Sequence, residues 1–82
     1  SLAQSMAREL GPKGIHVAHV VIDGAIDTPW IKELFQDYYN EKKVIDGLMN
    51  PKDIADNYLW IYKQPRNAWT HEIDLRPWVE KW

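Results

Sequence analysis

HVAHVVIDGAIDTPW, residues His16 to Trp30, reads in one pass as a buried strand, a glycine turn and the start of a helix. Ile15 to Ile22 is apolar at six of its eight positions and rich in β-branched residues, the composition of a strand covered on both faces in a parallel sheet. Asp23-Gly24 ends it. Thr28-Pro29 then has the form of an N-cap followed by the residue best tolerated at the first helical position. In open α/β sheets ligands sit beyond the carboxyl ends of the strands, where such a turn presents free backbone N–H groups. Any ligand site is expected here.

Upstream, Leu2, Ala3, Met6, Ala7 and Leu10 form one helical stripe that predicts a buried face, with Gly11-Pro12 as a glycine-capped stop. Ser1 is read as opening onto this helix without capping it, which implies a start inside a larger structure. Downstream of Thr28, the apolar residues Ile31, Leu34, Phe35, Tyr38 and Tyr39 predict a single helix running to about Lys42. Val44 to Asn50 has no sustained period and reads as a connecting loop. Asn50-Pro51 starts another helix, with Asp53 able to reach back toward the cap, and Gln64-Pro65 ends it. Residues 69–75 alternate between apolar and polar, the pattern of a strand with one wet face, expected over 71–75 and parallel to 16–22 through a βαβ crossover.

Composition narrows the functions. With a net charge of −2 and 27% charged residues there is no electrostatic reason to expect nucleic acid or a membrane surface. The absence of cysteine removes disulfides, thiolate nucleophiles and cysteine metal sites, and is in keeping with a reducing, cytoplasmic setting. His16 and His19 form H-x-x-H, but on a strand residues three apart face opposite ways, so no metal site is expected. His16 is expected to satisfy its ring through backbone instead. Five Trp and four Tyr in 82 residues are more than a thin core needs, and predict filling of the core or of an oligomer interface. Asp23 and Asp27 flank the turn and read as caps of backbone N–H groups rather than as a hydrolytic pair.

Read as D-G-A-I-D-T, residues 23–28 resemble the P-G-x-I-x-T turn of the short-chain dehydrogenase/reductase family. Leu2 to Val17 resembles the helix and loop leading into that turn, Pro51-x-Asp53-Ile54-Ala55 the family's late P-E-D-I-A helix start, and Thr70 to Leu75 its final strand. The resemblance implies an α/β fold, a partial Rossmann-like (doubly wound) unit of two parallel strands with three to four helices. It makes residues 1–82 the carboxyl-terminal portion of an NAD(P)-binding domain, part of an oxidoreductase acting on an alcohol or carbonyl substrate. By the same resemblance Gly24 would admit the nicotinamide, the Ile26 backbone would pair with its carboxamide, and Thr28 would donate its hydroxyl to the carboxamide or a phosphate. Trp30, Ile31 and Leu34 would face the substrate from a mobile lid; the alternative is that this stripe packs on the body of the protein.

The resemblance is incomplete. Asp23 stands where the family has proline, and its carboxylate must either point away from a phosphate-bearing ligand or alter its handling. The sequence has no G-x-x-x-G-x-G turn. The family's Tyr-x-x-x-Lys pair is expected upstream of Ser1, so no residue of the chain is assigned a catalytic role and the chain alone is expected to be inactive. NAD or NADP is the implied cofactor of the complete enzyme. The implied partners are a second copy of the chain or the remainder of the enzyme. A non-catalytic α/β self-association module is the competing reading.

Overall fold

A computed structural model describes residues 1–82. Four α-helices accompany one two-stranded sheet: α1 Leu2–Leu10, β1 His19–Ile22, α2 Pro29–Leu34, α3 Gln36–Val44, α4 Pro51–Tyr62 and β2 Glu72–Leu75. The strands pair in parallel, His19 opposite Glu72 through to Ile22 opposite Leu75, as the crossover pattern requires. Ile73 and Leu75 turn inward and Glu72 and Asp74 outward, the predicted alternation. No helix is long and apolar enough to cross a membrane.

The long strand expected over 15–22 is corrected to four residues. Parallel strands need partners on both edges and cover on both faces, whereas β1 has only β2, and Ile22 and Ile15 remain 37% and 49% exposed. His16 nevertheless behaves as expected, its Nε2 lying 2.7 Å from the Thr70 carbonyl while its ring stacks on Trp69.

Helix boundaries follow local chemistry, with four corrections. Ser1 does cap α1, its side chain accepting the Gln4 N–H. Gly11 stays right-handed, and the left-handed stop comes at Gly14 (φ 85°) after one 3₁₀ turn over Gly11–Lys13. The helix expected from Thr28 to Lys42 is broken at Phe35, whose φ of −132° and ψ of 55° leave the helical region and separate α2 from α3. At α4 the Asn50 side chain accepts the Lys52 N–H, while the Asp53 carboxylate makes no return bond to the cap.

The core is thin. Only Gly47, Leu48, Ile54, Ile61 and Pro77 are buried. No residue of the α1 apolar stripe is fully buried, Leu2 being 77% exposed, and the aromatics do not fill the interior either: Trp30, Trp60, Trp78 and Trp82 are 53–93% exposed. The radius of gyration is 15.9 Å with extents of 48 × 24 × 22 Å, against about 12 Å for a compact domain of this length. The accessible surface is 6368 Å², roughly 1,200 Å² above that of a compact monomer of equal mass.

Candidate functional site

Residues 23–28 leave the carboxyl end of β1 and are gripped from three directions. The Asp23 N–H donates to the Leu75 carbonyl at 2.9 Å, prolonging the ladder by one bond. Gly24 follows with φ 149°, and a Cβ placed on it would lie 2.6 Å from Pro77 Cδ. The close approach that this glycine permits here is to Pro77. Beyond it, the segment read as a loop contributes a parallel bridge: the Met49 N–H donates to the Ala25 carbonyl and the Asp27 N–H to the Met49 carbonyl, at 2.9 and 2.8 Å.

That bridge fixes the orientation of Ile26. In parallel pairing the residues on either side of the bridged one use their polar groups, and the bridged residue turns its own outward. Neither the N–H nor the C=O of Ile26 has a partner within the chain. Thr28 caps α2 by accepting the Ile31 N–H at 3.4 Å, which leaves its O–H proton available to another acceptor. Of the three expected cofactor contacts, Ile26 and Thr28 present unspent hydrogen-bonding groups and Gly24 presents space already taken by Pro77. Among the substrate-facing candidates, Trp30 and Leu34 are each 60% exposed, Trp30 standing edge-on to Phe35, and Ile31 is half-buried.

A groove of about 630 Å³ opens beside Thr28 between α2 and α3. It is polar, lined by Asp27, Lys32, Glu33, Gln36 and Tyr39, and includes none of Trp30, Ile31 and Leu34. Asp27 caps no backbone group; its carboxylate takes a hydrogen bond from Lys43 Nζ and ties the turn to α3. Tyr39 and Lys43, like Tyr38 and Lys42, stand four residues apart, which corrects the expectation that a Tyr-x-x-x-Lys spacing lies only upstream of Ser1. The electrostatics of the pair at the groove run against proton donation. Burial and then the Asp27 carboxylate push the Tyr39 hydroxyl above its ordinary value of 10.0, whereas an activated tyrosine needs it lowered.

The Lys43 hydrogen bond holds the Asp27 carboxyl below its ordinary 3.8, and the same bond raises Lys43 above 10.5. A lowered carboxyl contributes stability above its unfolded value and loses it as pH falls through the folded one; a raised ammonium contributes below its unfolded value and loses it as pH rises. The clasp on α3 is therefore expected to hold across neutral pH, weakening in acid below about 3.8 and in base above about 10.5. In an NMR titration Asp27 should show a midpoint below 3.8, and Lys43→Met should raise it. An Asp27 midpoint at or above that value in the unsubstituted chain would contradict the clasp.

No protein-family model and no curated protein matches the chain. Among solved structures, the short-chain dehydrogenase from Rhodopseudomonas palustris aligns with 93% of this chain at 39% identity and a TM-score of 0.57. The chain is similar to part of a short-chain dehydrogenase. It covers 24% of that protein. Similarity to the dehydrogenase over nearly all 82 residues, together with the parallel β1–β2 pair and its helices, gives the fold class as α/β, a partial Rossmann-like unit.

Proposed function

We propose that this chain is the carboxyl-terminal segment of an NAD(P)-dependent short-chain dehydrogenase/reductase, in which residues 24–28 form the nicotinamide-side wall. The observation that carries the reading is Ile26, whose N–H and C=O both face away from the Met49 bridge without partners. A carboxamide offers a carbonyl oxygen that accepts beside an amino group that donates, and is complementary to such a pair. Thr28 adds a hydroxyl beside it. The cofactor would supply hydride transfer when bound; this chain's part is to orient the nicotinamide end, while the pyrophosphate cradle and the proton-transfer residues come from outside residues 1–82.

The similarity to the R. palustris enzyme makes a direct experiment feasible. Replacing the aligned quarter of that dehydrogenase with this chain should leave a folded chimera with cofactor-dependent turnover. Thr28→Val in the chimera, which keeps side-chain shape and removes the hydroxyl, should weaken cofactor binding or hydride transfer by about 1–3 kcal/mol. A folded but inactive chimera, or kinetics indifferent to Thr28→Val, removes the reading.

A second reading, association without catalysis, is favoured by the exposed apolar side chains of α1 and α4 and by the unpaired edge of β1. The partner in either reading is a polypeptide: a second copy or the remainder of the enzyme.

A further inference from the structure

We propose that Arg76 is the positioning residue of the Gly24–Thr28 turn, a role that no cofactor-facing residue supplies. Arg76 lies just beyond β2, and its side chain is 14% exposed, although the alternation of residues 69–75 carried one position further puts it on the wet face. Its guanidinium is used on every nitrogen. Nε and Nη2 grip Asp74 at 3.0 and 2.8 Å in a two-pronged bond, and Nη1 reaches the Asp23 carboxylate at 3.2 Å and the Lys81 carbonyl at 3.3 Å. The Trp82 ring covers the cation, 3.6 Å from its centre. A planar fork held in this way joins the ends of both strands in a fixed geometry, which an ammonium could not reproduce.

The consequence falls on the turn. Asp23 is hydrogen-bonded through its backbone to Leu75 and ion-paired through its carboxylate with Arg76, so the residue that launches the turn has both ends anchored to the β2 side. The following Pro77 is buried and fills the space over Gly24. Trp78 then donates its indole N–H to the Ile45 carbonyl at 3.0 Å, tying residues 76–78 to the segment after α3. Asp23 stands where a proline would stiffen the backbone by covalent geometry. A proline there would remove the N–H that Asp23 gives to Leu75. This chain keeps that bond and obtains stiffness from an ion pair instead. The carboxylate is thereby directed at Arg76, which answers how an acidic residue coexists with a nicotinamide-side wall.

The importance of this fixed geometry for orienting a ligand rests on the function proposed above; the clamp itself is testable with no cofactor present, so the two can fail separately. Three amides report the turn, because their protection depends on its shape: Asp23 to Leu75, Asp27 to Met49 and Met49 to Ala25. In hydrogen exchange on the full 82-residue chain, Arg76→Met should speed exchange at these amides by about tenfold or more, while Tyr58 and Ile61 in α4 stay within about twofold. Arg76→Lys, which keeps the charge and loses the fork, should fall between. Asp23→Asn, which leaves the Asp74 grip intact, should speed the same three amides. Uniform acceleration across α4 as well would make Arg76 a general stabiliser and overturn the proposal. So would turn amides within twofold of the unsubstituted chain in Asp23→Asn, which also decides the matter should Arg76→Met not fold.

Discussion

Gly24→Ala should dismantle the turn. The new Cβ would sit 2.6 Å from Pro77 Cδ, 3.1 Å from its Cγ and 3.5 Å from Met49 Sδ, and the backbone at φ 149° is one that side chains rarely adopt. Pro77 has no flexible end to withdraw, since its ring is rigid and buried. Backbone strain of about 1–3 kcal/mol and overpacking of about 1–3 kcal/mol act together. Chemical denaturation followed by circular dichroism should show a loss of about 2–6 kcal/mol, with the Asp27 and Met49 amides losing protection first. An unchanged midpoint would mean that the turn has more room than its contacts with Pro77 indicate.

Ile61→Ala should leave the isolated chain largely unfolded. Leu48, Ile54 and Ile61 are the buried side chains of the hydrophobic core, and Ile54 and Ile61 form the one buried stripe of α4. Truncating such a residue costs about 2–5 kcal/mol, against a total of roughly 4–12 kcal/mol for a compact domain of this length. So few buried side chains put this chain at the low end. The unsubstituted chain should compensate by associating: its thermal midpoint should rise with concentration, and sedimentation equilibrium should report species above the 9.7 kDa monomer. A stable monomer with a concentration-independent midpoint, or an Ile61→Ala variant that denatures within about 1 kcal/mol of the original, would show a firmer core than burial implies.

The parts of this fold that are local in chemistry are readable from sequence. Thr28-Pro29 and Asn50-Pro51 start helices where they should, and the alternation at Glu72–Leu75 marks its strand face by face. What fails depends on distant partners. Nothing near Ile15 reveals that β1 has a neighbour on one edge alone, and nothing near Tyr38 reveals that the helix breaks at Phe35. At the site, the glycine and the capping threonine are legible as backbone requirements. The roles of Met49, Arg76 and Pro77 are not, because each reaches the turn from more than twenty residues away, and an arginine at a polar position of a strand pattern looks like any solvated charge. The Tyr39–Lys43 spacing was readable, and its pairing with Asp27 emerges only in three dimensions.

The parallel pairing of β1 with β2 also sets the order in which the chain can assemble. His16 meets Thr70 across 54 positions, and the four strand pairs are of similar span. Closing so long a loop costs about 3.5 kcal/mol beyond a constant before any pair rewards it. The twelve residues of α4 need only neighbours in sequence and form on the microsecond scale. The sheet is then expected to form late, after the Ile26–Met49 bridge, which joins residues less than half as far apart. Until β2 arrives, the apolar edge of β1 is open on both sides, and this interval is when the chain is most exposed to pairing with another molecule.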